Sequence, residues 1–236
     1  MVKDHRPHWL KILSDRINEV IVNLYVKPQL ASVGRDFRVM NPRHFQVSGP
    51  DIHIKDHVYV MALYDSPVRL AVFEGLGRIK IGSYCIVNPG VRISSANDIE
   101  IGESCMLAMN AYLADADWHD LQHRIYAPGN TAPIKLGNNV WIGDSAFVGK
   151  GVTIGDNSIV GAFAVVTKDV PANTIVAGIP AKAVGSIDPD DLTTRKQMFT
   201  GQTPYEEFER QYVREQLQGN RLLKYLQTLV YPRRGD

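Results

Sequence analysis

The sequence predicts a mainly β protein: a three-sided solenoid built from six-residue sides, with a helix before it and a helical extension after it. A strict six-residue repeat fills the stretch after Leu136, a looser form of the same frame runs upstream of Leu113, and apolar residues at helical spacing flank both.

Internal periodicity decides the fold of a repeat protein, so it is read first. From Leu136 the chain runs LGNNVW, IGDSAF, VGKGVT, IGDNSI, VGAFAV, VTKDVP, with an aliphatic residue opening all six units and glycine second in five. The fifth positions, Val140, Ala146, Val152, Ser158, Ala164 and Val170, are small or β-branched. A strand alternates faces about every two residues and a helix repeats near 3.6, so neither gives this spacing. A coil of three flat sides joined by turns does. The opening aliphatic then points inward and stacks on its equivalent eighteen residues later, as Leu136 on Ile154. The fifth residue also points inward, beside a corner that favours a small side chain. Asn138, Asp144, Asp156 and Asn157 suit those corners because Asn and Asp tolerate turn dihedrals. One coil buries little by itself, so stability comes from stacking neighbours.

Taken in chain order, Trp9, Leu10, Leu13, Ile17, Val20, Ile21 and Leu24 keep the i, i+3/i+4 spacing of an amphipathic helix that Pro28 ends. Residues 1–32 are read as this helix and its lead-in. Val33-Gly34, Val39, Phe45, Ile54 and Val60 echo the six-residue frame, so the coils are expected to begin near residue 33. Tyr64 to Gly77 breaks the period and reads as a looser strand pair closing that end. Ile81, Val87 and Ile93 form one coil, and Ile101, Leu107 and Leu113 the next. Cys85 and Cys105 fall at fifth positions of adjacent coils, one above the other, and are read as small buried hydrophobes. The period stops after Leu113 and resumes at Leu136, so a loop at about residues 114–134 leaves the prism. The solenoid is expected to end near residue 184. Asp188 to Gly201 reads as a polar linker, and Thr203-Pro204-Tyr205-Glu206 as a capped helix start. Phe208, Tyr212 and Leu217 continue that helix to a stop at Gly219-Asn220, and Leu222, Leu223, Leu226 and Leu229 mark a second one. These helices of residues 185–236 are expected to cap the solenoid or pack at a subunit interface.

Composition removes several classes of function. With 26 Lys and Arg against 25 Asp and Glu, the formal net charge is +1, without the clustered positive excess of a nucleic-acid binder. Apolar runs fall short of the roughly 20 residues of a membrane span. Met1 to His8 lacks the apolar core of a secretory signal, and two cysteines build neither a disulfide framework nor a Cys-based zinc site. A cytoplasmic protein is expected.

The stretch LGNNVWIGDSAFVGKGVTIGDNSIVGAFAVVTKDVPANTIVAGIPAK resembles the hexapeptide-repeat acyltransferases, whose fold is a left-handed parallel β-helix. More narrowly it is similar to the branch of galactoside, maltose, nodulation-factor and polysaccharide O-acetyltransferases. The likeness runs from about Ile79 to Val184, weakens over the N-terminal third, and stops before the last fifty or so residues. The repeat speaks for the fold; chemistry has to be argued from a site. The resemblance implies acetyl-CoA as acyl donor with no metal required, a small-molecule or glycan acceptor, and a homotrimer with active sites between subunits.

The loop carries Asp115, Asp117, Trp118, His119, Asp120, His123 and Arg124, and loops on rigid scaffolds commonly hold catalytic groups. In the resembled family the catalytic histidine lies on such a loop, and the flanking register puts Trp118 or His119 at its position. His119 is therefore the candidate base, with His123 the alternative. Acyl transfer from a thioester to a hydroxyl needs a base for the hydroxyl proton, which a neutral imidazole supplies near pH 7. Asp117 or Asp115 is the candidate to orient it. Asn110 matches a family asparagine that contacts the acceptor; Asn88 on the preceding coil, Trp118 and His123 are further acceptor candidates. Trp141 takes the outward sixth position of its unit, where an exposed indole wants a covering partner, and the resemblance places it beside the donor cleft. Coenzyme contacts implied by the last coils are Ala146, Gly161, Ala162 and Gly178 through the backbone, with Lys168 and Lys182 at the phosphates. The alternatives from other classes are a metal-dependent lyase of the γ-carbonic-anhydrase type, and a non-catalytic scaffold.

Overall fold

Each turn of the chain beyond Leu30 lays down three short strands, and strands of successive turns pair in parallel. This is seen in a computed structural model that describes residues 4–73, 75–200 and 205–231. The first face stacks β1 (Ser32–Val33), β4 (Ile52–Ile54), β7 (Ile79–Ile81), β10 (Ile99–Ile101), β13 (Ile134–Leu136) and β16 (Thr153–Ile154). The second stacks β2 (Arg38–Met40), β5 (Tyr59–Met61), β8 (Ile86–Val87), β11 (Met106–Leu107), β14 (Trp141–Ile142), β17 (Ile159–Val160) and β19 (Thr174–Ala177), and β20 (Lys182–Ser186) closes it antiparallel to β19. The third stacks β3 (Phe45–Ser48), β6 (Val68–Val72), β9 (Arg92–Ser95), β12 (Tyr112–Ala114), β15 (Phe147–Val148) and β18 (Val165–Val166). Three parallel sheets wrapped in this way make the left-handed β-helix that the repeat predicts.

The core is the column of residues that opens each six-residue unit. Leu136, Ile142, Val148, Ile154, Val160 and Val166 are all buried, as are the fifth-position residues from Val140 to Val170. Many corners hold one residue in the left-handed conformation: Asn139, Asn157 and Asn173 have φ of 56°, 60° and 57° at one edge, and Asn110 has 57° at another. Asparagine adopts it at small cost, and the side chains link the coils, with Asn139 Nδ2 donating to Asn157 Oδ1 at 3.1 Å and Asn157 Nδ2 to Asn173 Oδ1 at 2.9 Å. Second-position glycine follows from close approach: a Cβ on Gly102 would overlap the Gly137 carbonyl of the next coil.

Both cysteines are buried at fifth positions, and each Sγ lies 3.1 Å from a carbonyl of the following coil, Gly102 for Cys85 and Gly137 for Cys105. Burial pushes the Cys85 thiol well above its usual range, with Cys105 adding to the effect. Neither thiol is therefore expected to react with dithionitrobenzoate in the folded protein at neutral pH, and both should react in denaturant. Labelling of the native chain at the denatured rate would contradict this packing.

Two expectations are corrected here. Tyr64 to Gly77 does not hold a strand pair closing the end; β6 continues the third face, paired in parallel with β3 and β9. The extra residues are absorbed at the corner, where Leu63 and Ser66 exchange backbone hydrogen bonds of 3.2 Å, so Val68, Leu70 and Val72 keep their inward places. The polar segment after Asp188 is not all linker: its second half is a helix, α2 (Arg195–Thr200). Its start is held by Arg195 Nε donating to the Tyr84 carbonyl at 2.8 Å and the Lys196 backbone N–H to Ser104 Oγ at 3.2 Å.

The chain divides into two compact units, Ile21–Lys196 with the coils, and Met1–Val20 with Gln197–Asp236. In the second, α1 (His8–Ile21, all but its last residue), α3 (Tyr205–Gln216) and α4 (Leu222–Val230) match the helices that the apolar spacing predicts. Thr203 and Pro204 of the expected cap lie outside the described residues. Asn220 Nδ2 donates to the carbonyls of Asp4 and Arg6, at 2.8 and 3.0 Å, tying the turn before α4 to the N-terminal segment. No helix of the described residues is long and apolar enough to cross a membrane.

Candidate active site

The solenoid opens between β12 and β13, and the loop that leaves there is anchored from below. Asp115, fully buried, directly follows β12. Its carboxylate accepts Ser95 Oγ at 2.6 Å and the backbone N–H groups of Ala96 at 2.7 Å and Asn97 at 3.0 Å. Ile93 and Leu113 are register partners, so Ser95 and Asp115 both lie two residues further on, on the inward side of adjacent coils. A buried carboxylate survives there because three donors replace its water. Next, the Asp117 carbonyl accepts from Gly129 N–H at 2.7 Å while Asp117 N–H donates to the Asn130 carbonyl at 2.8 Å, closing the loop base. Asn97 Nδ2 adds a 3.0 Å bond to Thr131 Oγ1.

Beyond this base the loop presents its ionisable groups. His119 and His123 are both exposed. Asp120 accepts the N–H groups of Gln122 and His123, at 2.9 and 2.7 Å, which caps a tight turn and holds its carboxyl below the usual range. Trp118 is half-buried, and its Nε1 donates to the Tyr112 hydroxyl at 3.1 Å. The carboxylates expected to orient His119 are engaged elsewhere. Asp117 pairs with Lys150 at 2.6 Å, Asp115 with the Ser95–Asn97 turn, and neither is bonded to an imidazole among the described residues. Asp115 is thus a buried anchor of the loop, a correction with a plain cause: its side chain falls on the inward parity of β12.

The acceptor candidates separate as well. Asn110 is exposed at a corner and lines a shallow cleft of about 260 Å³ with Arg69, Arg92 and Ser66. Asn88 is tied down, its Nδ2 donating to the Leu107 carbonyl at 2.8 Å. On the second face Trp141 is 44% exposed in an outward apolar stripe, with Ile86 and Met106 below it and Ile159 and Ile175 above in register. Among the backbone candidates, Ala146 N–H is engaged with the Gly143 carbonyl at 3.2 Å and Gly161 N–H with that of Val176 at 2.7 Å, so these two amides already serve the coils. Ala162 and Gly178 are exposed turn residues, and neither N–H has a backbone partner among the described residues. Lys168 and Lys182 are exposed at the same end of the solenoid.

The profile of bacterial transferase hexapeptide (six repeats) matches residues 133–168. Over 115 residues the chain is 37% identical to the galactoside O-acetyltransferase of Escherichia coli K12, covering 48% of this chain and 56% of that protein. The chain thus spans little more than half the length of this curated relative. A longer match, 31% identity over 153 residues, covers 62% of this chain and 72% of the chloramphenicol acetyltransferase of Agrobacterium fabrum. The chain belongs to the hexapeptide-repeat acetyltransferase family. Among solved structures, an N-acyltransferase from Bacillus cereus in complex with dTDP and coenzyme A aligns over 80% of this chain and 95% of its own, at 17% identity and a TM-score of 0.51, which shows the common fold.

Within this member of the hexapeptide-repeat acetyltransferase family, several residues that frame the loop escaped the sequence reading. Lys150 reaches Asp117 from thirty-three residues away. Tyr112 joins Trp118 to Phe147, whose ring centroid lies 5.5 Å from its own, and the Arg92 guanidinium lies 4.1 Å from the Tyr112 ring centroid. The usable signal is register: Arg92, Tyr112 and Phe147 hold the same outward place on β9, β12 and β15.

Proposed function

We propose that this chain transfers an acetyl group from acetyl-CoA to a hydroxyl, or an amine, of a sugar, glycan or sugar-like small molecule, as a homotrimer with sites between subunits. Membership of the acetyltransferase family, through the match that covers 72% of an acetyltransferase, carries this reading. The identity to a galactoside O-acetyltransferase favours oxygen as the accepting atom.

In this account His119 is the general base. Its imidazole takes the acceptor's hydroxyl proton as that oxygen attacks the acetyl carbonyl. The carbon–sulfur bond then breaks and the proton passes to the departing coenzyme thiolate. The exposed His119 ring, bonded to none of the described residues, suits a group completed by substrate and a neighbouring subunit. The apolar stripe centred on Trp141 is the surface that neighbour covers, and the indole forms one wall of the donor cleft. Ala162 and Gly178 offer amides to the pantetheine arm, and Lys168 and Lys182 meet the phosphates. Asn110 contacts the acceptor. No observation favours the lyase or scaffold readings.

The test is free thiol released from acetyl-CoA in the presence of nitrophenyl galactoside, nitrophenyl glucuronide and chloramphenicol, with products weighed by mass spectrometry. Thiol release matched by a product one acetyl unit heavier supports the reading. A folded protein that releases no thiol with any of them speaks against it.

A further inference from the structure

The cleft beside Asn110 has a chemical character that says which acceptors it suits. Gln46, Arg69, Arg92 and Tyr112 are successive outward partners on β3, β6, β9 and β12. Partners in such a ladder stand about 4.8 Å apart, where like charges directly opposite each other destabilise a sheet. Arg69 and Arg92 are such a pair, and neither is ion-paired to a carboxylate among the described residues. Asp65, the carboxylate lining the cleft, is bonded to neither.

Both guanidinium groups are nevertheless held in place. Arg69 Nε donates to Gln46 Oε1 at 2.9 Å, which leaves its terminal nitrogens for another partner. Arg92 lies over the face of Tyr112, a cation–π contact that fixes the planar group. Two held forks that no carboxylate of the described residues pairs match the oxygens of a carboxylate or phosphate, and held donors lose little side-chain entropy on binding. The cleft, about 260 Å³, lies just below the roughly 300–1,000 Å³ of drug-sized ligand pockets and suits one sugar ring. Arg92 links the cleft to the loop that carries His119: its guanidinium lies on the Tyr112 ring, and the Tyr112 hydroxyl accepts from Trp118 Nε1.

We propose that Arg69 and Arg92 bind the anionic group, carboxylate or phosphate, of an acidic sugar, so that the acceptor is an acid rather than a neutral glycoside. That this acid accepts an acetyl group rests on the acetyl-transfer reading; its binding does not. The experiment is calorimetric titration of the full chain with nitrophenyl glucuronide, glucose phosphate and nitrophenyl glucoside. It is repeated in Arg69→Gln, Arg92→Gln and, as a control, Lys135→Gln, an exposed residue of the first face. One acid should bind at least about tenfold more tightly than the glucoside, and each arginine substitution should remove about tenfold of that preference while Lys135→Gln leaves it. Preference for the glucuronide marks a carboxylate site, and preference for glucose phosphate a phosphate site. Equal affinity for acids and glucoside, selectivity that survives both arginine substitutions, or no measurable binding of either acid overturns the proposal. All three substituted side chains are solvent-exposed, so an unchanged thermal midpoint confirms that the variants fold. Because transfer is not read, a chain that binds the acid but releases no thiol keeps this cleft and loses the acetyl-transfer reading alone.

Discussion

His119→Ala is expected to lower acetyl-transfer turnover by about 10²–10⁴-fold, the usual contribution of a positioned general base. The KM for acetyl-CoA should barely move, because the imidazole acts on the acceptor's proton and not on the donor. The thermal midpoint should also hold, since the ring is exposed and bonded to no described residue. His123→Ala is the matched control. Its backbone N–H is held by Asp120, so the turn survives the substitution and turnover should stay within a factor of a few. Loss confined to His123→Ala would move the base along the loop. Full turnover in both variants would remove histidine from the mechanism.

Asp115→Ala should fail in a different way. The substitution leaves the Ser95 hydroxyl and the N–H groups of Ala96 and Asn97 without their acceptor in the interior. Stranding donors costs about 1–3 kcal/mol each before relaxation, so a net loss near 3 kcal/mol is a moderate expectation. For a chain of this size that lowers the thermal midpoint by about 6–12 °C. Asp115→Asn should recover part of the loss, because its amide oxygen still accepts on one side of the turn while its nitrogen faces a backbone N–H on the other. An orienting partner of His119 would show the opposite pattern, with turnover lost and the melting curve unchanged. Calorimetric scans of both variants beside the turnover assay separate the two roles.

How far these sites were legible in the sequence depends on whether the periodicity reaches them. The coils from Leu136 to Val170 were plain, because every sixth residue reports the same inward place, and Trp141 was legible as outward for the same reason. The strand Val68–Val72 was read as part of a separate closing pair because a corner insertion shifts it out of frame while its own alternation stays intact. The helix Arg195–Thr200 hides in a polar segment because what holds its start is polar, the Tyr84 carbonyl and Ser104 hydroxyl of distant coils. His119 stood out because the loop interrupts the repeat. The fate of its acidic neighbours did not, since ionisable groups in a loop read as solvated and their partners lie far off in sequence. Ser95 and Asp115 nevertheless left a trace: each is polar and two residues past an inward isoleucine or leucine, in coils that stack. Polar residues at inward parity in adjacent coils can be read as a pair. The Arg69 and Arg92 ladder asks for the same comparison on the outward side.

Titration of acetyl-CoA into the purified full chain and its Trp141→Ala variant tests the central claim most directly. Saturable binding at one site per chain, weakened in the variant, is the predicted result. A folded protein that takes up no acetyl-CoA even at millimolar donor, about a thousandfold above a micromolar Kd, would contradict it.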